Sequence, residues 1–212
     1  MNLEDVKAFL RTGNRVLLMT RHAERPHIDH EDPSFGAALP ITDHGREMAV
    51  EFGARLREFA EDVQFMSSPL MRTRMTAVCI ARGMGVARPV IPTDDRLGNG
   101  TFFFSDAHAV FELFRDGSFF EKVFHYIETG RQTGFADLHA AADELENWAL
   151  AHFTGRFGIF TTHDLYNAAF LGARGVVTRF TPETWIQYLD SAAIVIAPNG
   201  ARSYHLIRSE IQ

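Results

Sequence analysis

The sequence predicts one α/β domain with a mostly parallel sheet and an antiparallel strand at one edge. Its 212 residues are 46% hydrophobic and 23% charged, which suits one packed domain and is short for two. Short apolar runs alternate with segments of helical periodicity, as is typical of a parallel sheet. Near the end, Asn199-Gly200 separates runs at 191–198 and 201–207 and predicts an antiparallel hairpin. We therefore expect one domain over 1–212, with a helical insertion at about 98–134.

The first half of the chain contains two predicted strands and three predicted helices. Residues 3–11 have the pattern of a short amphipathic helix, and residues 15–20 form an apolar run typical of a buried strand. Thr42 precedes an acidic turn and apolar residues at spacings of three or four, so it is expected to cap the second helix. Residues 63–66 are predicted as the second strand. Pro69 is expected in the first turn of the helix that follows.

The second half begins with a segment of unusual composition. Residues 90–91 are a candidate third strand, but from 98 to 134 the strand patterns fade and eight phenylalanines occur, at 102, 103, 104, 111, 114, 119, 120 and 124. We interpret these rings as the core of a mainly helical insertion; a surface for a membrane or a protein partner is the alternative. Further helices are predicted at 135–153 and 165–171, with a strand at 157–161 between them.

Composition limits the classes of function. The formal net charge of -6 argues against a broad nucleic-acid surface. No apolar stretch approaches the roughly 18 residues of a membrane-spanning helix. The opening residues are acidic and lack the apolar core of a secretion signal, so a cytoplasmic protein is expected. Cys79 is the only cysteine, which excludes an internal disulfide.

Charged and histidine side chains follow three of the predicted strands. Arg21-His22 and Arg25 follow the first strand, Arg72 follows the second, and His163-Asp164 follows the strand at 157–161. The carboxyl ends of parallel strands meet at one sheet edge, so these side chains are expected to form one pocket. Guanidinium groups present paired donors that match phosphate oxygens, and a histidine can act as a nucleophile. The sequence thus predicts a site that holds a phosphoryl group by fixed positive charge.

Each candidate has a plainer interpretation. Arg25 has the alternative of a surface arginine, and His163 that of a core histidine with satisfied hydrogen bonds. Asp164 is also a candidate helix cap, and a strong cap would lower its pKa and weaken it as an acid. Glu24 either orients an arginine or is a loop residue.

The loop after the first strand contains His27 and His30 among acidic residues. A metal site is the alternative interpretation, but ligands from one loop seldom complete a coordination shell. A solvated loop at the mouth of a pocket is preferred. No metal and no other cofactor is therefore expected.

Four motifs in order resemble those of the histidine phosphatase superfamily, which includes phosphoglycerate mutases and histidine acid phosphatases. The Arg-His-Gly signature corresponds to Arg21-His22-Ala23, and the Leu-Thr-x-x-Gly stretch corresponds to residues 41–45. The Ser-Ser-Pro-Leu-x-Arg-Ala-x-x-Thr-Ala stretch corresponds to residues 67–77, and the late histidine to Thr162-His163. Any one of these motifs is weak alone, but four in the right order are specific.

The resemblance implies an α/β/α sandwich and a metal-independent reaction through a phosphohistidine. In it His22 is the nucleophile and Asp164 protonates the leaving alcohol. The oxygens of the phosphoryl group are held by Arg21, Arg25, Arg72 and His163. The expected substrate is a small phosphorylated molecule, with no nucleic-acid or membrane partner, and the oligomeric state is left open.

Two departures from the family pattern bear on the branch and the mechanism. Ala23 replaces the usual glycine, and Asn99 stands where the mutase-like branch has its proton-donating Glu. The acid phosphatase branch has instead an Asp after the second histidine, as at Asp164, and a second arginine, as at Arg25. The chain therefore resembles that branch in its chemistry, on a chain of the smaller branch's length.

The predicted activity is hydrolysis of phosphate monoesters. A non-catalytic phospholigand binder and a phosphoglycerate-type mutase are the alternatives, and Asp94-Asp95 is a rival source of the proton. The substrate is expected between the sheet edge, the loop at 27–40 and the Phe-rich insertion. Its identity is not readable from the sequence.

Overall fold

A computed structural model describes residues 1–29, 31–32, 34, 36–98 and 100–211, so His30 and Asn99 lie outside the described residues. The sheet contains five strands: β1 (Arg15–Arg21), β2 (Val63–Ser67), β3 (Phe157–Thr162), β4 (Ser191–Ile196) and β5 (Arg202–Ile207). Their order is β2-β3-β1-β4-β5. Strands β2, β3 and β1 are mutually parallel, whereas β4 is antiparallel to β1 and β5 is antiparallel to β4. The predicted α/β class and its antiparallel hairpin are confirmed.

Seven helices accompany the sheet within the described residues: α1 (Leu3–Arg11), α2 (Asp43–Arg55), α3 (Met71–Met84), α4 (Ala107–Arg115), α5 (Phe119–Thr129), α6 (Leu138–His152) and α7 (Asp164–Ala173). Strand β1 shows how the layers form. Its Val16 and Leu18 pack in the core with α1, α2 and α3, and its Leu17 and Met19 pack with α6 and α7. This alternation follows from the two-residue period of a strand buried on both faces. The expected α/β/α sandwich is confirmed.

Helices α2 and α3 cross at two glycines. A β-carbon built on Gly53 would lie 2.0 Å from the carbonyl oxygen of Ile80, and one on Gly83 would lie 2.0 Å from that of Val50. Only glycine permits such a close approach of two helix backbones. The crossing therefore fixes α3, the helix that carries Arg72.

Residues 90–91 do not form a strand, so this prediction was wrong. The segment makes one isolated bridge, between Thr93 and Ser67, and Val90 is 83% exposed. Prolines at 89 and 92 flank the predicted strand and lack the N–H that a ladder needs. The segment therefore runs beside β2 without joining the sheet.

Two helix starts also differ from the prediction. Helix α3 begins at Met71 with Leu70 at its N-cap, so Pro69 precedes the helix and is not in its first turn. Helix α6 begins at Leu138, because the side chain of Asp137 caps it by accepting the N–H of Ala140. Both differences are local and leave the layer order unchanged.

The stretch 98–134 contains α4 and α5. Phe102 and Phe103 are buried in the core shared with α6 and α7, whereas Phe120 is 50% exposed. The phenylalanines therefore serve both as core and as surface. No helix among the described residues is long and apolar enough to cross a membrane.

Candidate active site

Three neighbouring parallel strands end at the same edge of the sheet. The backbone N–H of His22 donates to the carbonyl of Thr162, 3.0 Å away, and that of Ser68 donates to Thr161, also 3.0 Å away. These bonds continue the ladders just past the ends of β1 and β2. They place His22, Ser68 and His163 side by side. The sequence predicts the two histidines at this edge but not Ser68.

The ring of His22 is held in one tautomer. Its Nδ1 lies 2.8 Å from the carbonyl oxygen of Ala23. A carbonyl only accepts, so Nδ1 carries the proton and Nε2 keeps its lone pair. Burial lowers the pKa of His22 well below its usual value, and the neighbouring His163, Arg21 and Arg72 lower it further. His22 is therefore a neutral imidazole with a nucleophilic Nε2.

Ala23, where the family has glycine, is accommodated without backbone strain. Among the described non-glycine residues, only Leu189 and Glu210 have positive φ angles. Ala23 is fully buried, and its N–H donates to the hydroxyl of Thr76 on α3, 3.0 Å away. The methyl group thus requires no left-handed conformation beside His22.

The second histidine lies against the first. The ring centroids of His22 and His163 are 5.5 Å apart. Nδ1 of His163 is 3.5 Å from an Nη atom of Arg72, which can only donate, and Nε2 is 3.2 Å from the hydroxyl of Ser68. Burial and then Arg72 lower the pKa of His163 to about 3. In this arrangement His163 is also neutral, with its proton on Nε2.

The guanidinium groups approach from three elements. Arg72, 5% exposed, donates to the carbonyl of Gly36 at 2.7 Å, and burial lowers its pKa to about 10. Arg21 donates to the carbonyl of Ile186 at 2.5 Å and stacks on the ring of Tyr188, with 4.4 Å between Cζ and the centroid. Burial also lowers the pKa of Arg25.

Each of these arginines keeps a buried donor without a partner. The Nε atoms of Arg21, Arg25 and Arg72 are buried and find no hydrogen-bond acceptor among the described residues. Buried N–H groups are normally satisfied, so three such donors beside one histidine need an explanation. Oxygens of a phosphoryl group are acceptors of the kind these donors lack.

Asp164 is the first residue of α7. Its carboxylate accepts the N–H of Leu165 at 2.9 Å and the indole N–H of Trp185 at 3.1 Å, and it forms an ion pair with Arg21 at 3.1 Å. Burial raises the pKa of Asp164, but Arg21, Trp185, His163 and the backbone outweigh that effect, so the pKa lies below its usual value. The carboxylate is therefore ionised here. The N-cap position belongs to His163, so Asp164 is not the cap.

Other candidates have structural partners. Glu24 accepts the hydroxyl of Thr42 at 2.6 Å and so connects the loop after β1 to α2 rather than orienting an arginine. Asp94 accepts two side-chain N–H groups of Arg96, at 3.0 and 2.7 Å. Among the described residues, no three His, Cys, Asp or Glu side chains lie close enough to hold a metal ion.

A cavity of about 560 Å³ opens at the edge of the sheet where His22 and His163 lie. Its floor contains His22, Arg25, Arg72, His163 and Asp164. Its walls come from the loop after β1, which contributes His27 and Ile28, and from the Phe-rich insertion. A larger groove, of about 920 Å³, runs along the outer face of α2 and α3 and contains none of the floor residues. The 560 Å³ cavity is therefore the candidate active site.

Sequence reasoning missed Trp185 and Tyr188. Both lie between α7 and β4, a stretch with no recognised motif or periodicity. Trp185 is one of only two tryptophans in the chain, and that rarity is the only available signal. Their positions follow from tertiary packing, in which Trp185 contacts Asp164 and Tyr188 lies under Arg21.

Comparison with known proteins finds a family model that matches part of the chain. Residues 17–99 match the sequence model of the histidine phosphatase superfamily, branch 1. The resemblance to the histidine phosphatase superfamily is confirmed. This match includes His22 and Arg72 but ends before His163 and Asp164. The similarity to the acid phosphatase branch through Asp164 thus lies outside the matched residues. No protein in the curated set matches the sequence.

Several solved structures superpose along nearly the whole chain. A mycobacterial hydrolase, "hydrolase 2", is 18% identical, with a TM-score of 0.59 and coverage of 94% of this chain and 92% of that chain. A mycobacterial glucosyl-3-phosphoglycerate phosphatase is 16% identical, with a TM-score of 0.58 and coverage of 93% and 99%. A phosphoglycerate mutase from Bacillus anthracis is 16% identical, with a TM-score of 0.56 and coverage of 92% and 92%. At these identities the likeness establishes the fold.

Proposed function

We propose that the protein is a metal-independent phosphatase that hydrolyses phosphate monoesters through a phosphohistidine on His22. The observation that carries this proposal is the state of His22. It is a neutral, buried imidazole whose Nδ1 proton is fixed on Ala23. Arg21 and Arg72, both with unpartnered Nε–H groups, lie close enough to lower its pKa. The match of residues 17–99 to the histidine phosphatase superfamily supports the same chemistry.

In the first step, Nε2 of His22 attacks the phosphorus in line with the ester oxygen. The N–P bond forms as the P–O bond to the alcohol breaks. Arg21, Arg25 and Arg72 stabilise the charge on the phosphoryl oxygens by fixed positive charge. The bound dianion also favours the protonated ring of His163, whose Nδ1–H then donates to one oxygen.

The leaving oxygen needs a proton, and Asp164 supplies it. Asp164 is ionised in the structure because Arg21 and Trp185 stabilise its charge. A phosphoryl group that binds Arg21 weakens that ion pair and adds negative charge nearby, and both effects raise the pKa of Asp164. After Asp164 has given its proton to the alcohol, its carboxylate accepts a proton from the water that attacks the phosphorus. The N–P bond breaks as the new P–O bond forms. Free phosphate and neutral His22 result.

Turnover of an aryl phosphate and covalent labelling test the proposal. His22→Ala should abolish turnover, and brief incubation of the wild type with ³²P-labelled ester should leave acid-labile, base-stable label on His22. His139→Ala, at an exposed position on α6, is the matched control and should retain activity. Label on a serine, or turnover by His22→Ala, would refute the nucleophile. Loss of activity with EDTA and recovery with a divalent ion would refute metal independence.

The ionised Asp164 favours a second candidate, a phospholigand binder without turnover. A panel of phosphorylated metabolites separates the candidates. Release of free phosphate supports the phosphatase, and isomerisation without release supports a mutase. Saturable binding with neither reaction supports the binder.

A further inference from the structure

We propose that the leaving alcohol is apolar, so that the substrates are phosphate monoesters of alkyl or aryl alcohols rather than of sugars. This inference rests on the proposed phosphatase activity and specifies its substrate class. It comes from the walls of the cavity, which differ in chemistry from its floor.

The walls above the charged floor are largely hydrocarbon. Eight of the described wall residues are apolar and large: Ile28, Leu70, Phe104, Val110, Phe114, Phe119, Phe120 and Leu165. They come from the loop after β1, from the turn before α3, from the insertion and from α7, so hydrocarbon surrounds the space where the alcohol of a bound ester must lie. An apolar group placed there loses contact with water on several sides.

Hydroxyl groups in the wall already have partners. The hydroxyl of Tyr166 donates to the carbonyl of Arg96 and accepts the N–H of Gly100, each at 2.8 Å. The hydroxyl of Ser34 donates to Asp32 at 2.6 Å. A sugar would bring several hydroxyls that must exchange water for protein partners, and burying them unpaired is costly. These two side chains do not offer such partners.

The aromatic wall is attached to the catalytic floor. The ring of Phe120 packs edge-on against Trp185, with centroids 5.5 Å apart, and against Phe119 at 5.7 Å. Trp185 in turn donates to Asp164. The wall therefore has a fixed position relative to the group that must meet the leaving oxygen.

The size of the effect follows from hydrocarbon burial. Each buried CH₂ contributes about 0.8 kcal/mol, which corresponds to about a fourfold gain in kcat/KM or affinity. The gain should continue along a linear chain until the 560 Å³ cavity is filled. Such a trend requires an apolar wall and is absent from a site made for polar alcohols.

The experiment measures kcat/KM for n-alkyl phosphates from ethyl to octyl, because these alcohols differ little in acidity and chain length is isolated. Sugar phosphates serve as the polar comparison. In parallel, calorimetry measures the affinity of n-alkylphosphonates, which cannot be hydrolysed. We expect about a fourfold rise per CH₂ in both series and lower kcat/KM for the sugar esters.

The outcomes separate this inference from the proposed function. Turnover with a flat chain-length series, or with preferred sugar esters, would overturn the apolar class and leave the phosphatase intact. No turnover, but phosphonate affinity that rises with chain length, would refute hydrolysis and support the apolar wall. Neither turnover nor a rising affinity would overturn both.

A pair of variants locates the effect. Phe120→Ser should reduce the slope of both series, because it removes an aromatic wall from the cavity. Val78→Ser is the matched control, since Val78 is similarly exposed, at 52%, on α3 outside the cavity. An unchanged slope in folded Phe120→Ser would assign the trend to another surface. Wild-type phosphonate affinities provide the test if the variant fails to fold.

Discussion

At the scale of single residues, the two histidines of the site differ in which nitrogen carries the proton. The carbonyl of Ala23 takes the Nδ1 proton of His22, whereas Arg72 occupies Nδ1 of His163 as a donor. In the proposed mechanism the same residue type is thus a nucleophile in one position and a hydrogen-bonding group in the other. Partner chemistry, and not distance alone, assigns the roles.

The role of Asp164 can be tested through the acidity of the leaving group. Asp164→Asn should slow esters of poorly acidic alcohols by about 10²–10⁴-fold, because those leaving oxygens need a proton. Aryl esters should be slowed much less. The comparison of kcat between the two ester classes checks this expectation.

Asp94→Asn is the matched control, because Asp94 pairs with Arg96 away from the cavity floor. It should leave both ester classes nearly unchanged. Equal slowing of both classes by Asp164→Asn, with a leaving-group effect in Asp95→Asn, would transfer the donor role to the earlier loop.

Trp185→Phe tests whether Trp185 controls the pKa of Asp164, the proposed acid. Loss of the indole N–H removes a donor that lowers the pKa of Asp164, so the pKa should rise. The acid then stays protonated to higher pH. The alkaline limb of the kcat profile for alkyl esters should therefore shift upward.

Trp148→Phe controls for loss of an indole, because Trp148 is buried on α6 and does not contact Asp164. In Trp148→Phe the alkaline limb of the kcat profile should stay at the same pH as in the wild type. An unshifted or downward-shifted limb in Trp185→Phe would contradict the assignment of Asp164 as the acid.

At the scale of helices and strands, an element was predictable from sequence where neighbouring residues alone determine its conformation. The Asn199-Gly200 hairpin was predicted because the turn specifies itself, and Gly200 indeed has a φ of 83°. The segment at 90–91 looked like a strand by composition, but its flanking prolines exclude ladder pairing. The stretch that carries Trp185 and Tyr188 has no local pattern, so only the packed structure places it.

The crossing of α2 and α3 gives a stability prediction. Gly53→Ala should lower the free energy of unfolding by about 1–3 kcal/mol or more, because its β-carbon meets the Ile80 carbonyl. Urea unfolding midpoints measure the change. Gly155→Ala is the control, since its β-carbon would find its nearest neighbour at 3.6 Å. Equal midpoints in the two variants would mean that the helices separate at no cost.

At the scale of the whole molecule, the site imposes a pH dependence on stability. His163 has a folded pKa of about 3, whereas an unfolded histidine has a pKa near 6.5. Below about pH 6.5 the unfolded chain therefore binds a proton that the folded state does not. Stability present above pH 6.5 is lost as the pH falls towards 3, by on the order of 1 kcal/mol per pH unit.

Thermal unfolding between pH 7 and pH 5 checks this expectation. His163→Gln should show a smaller fall in Tm than the wild type, because it removes one of the groups that titrates on unfolding. His139→Gln, at an exposed position, should fall as the wild type does. Identical slopes in wild type and His163→Gln would show that His163 is already protonated in the folded state.

The pocket was predictable from sequence as a set of strand ends, because parallel topology brings Arg21-His22, Arg72 and His163 together whatever the loops do. The protonation of Asp164 was not predictable. It depends on Trp185 and Arg21, which reach the carboxylate only through the packing of the chain beyond α7.

The floor of the cavity comes from strand ends, and much of its wall comes from the Phe-rich insertion, which contains α4 and α5. Two separate stretches of the chain would thus determine bond breaking and the choice of leaving group in the proposed reaction. We expect mutations in the insertion to alter substrate preference without disturbing the residues of the cavity floor. A lineage that keeps the strand ends and varies the insertion would therefore acquire new substrates by small steps. Directed evolution of new specificities should concentrate its libraries on the insertion.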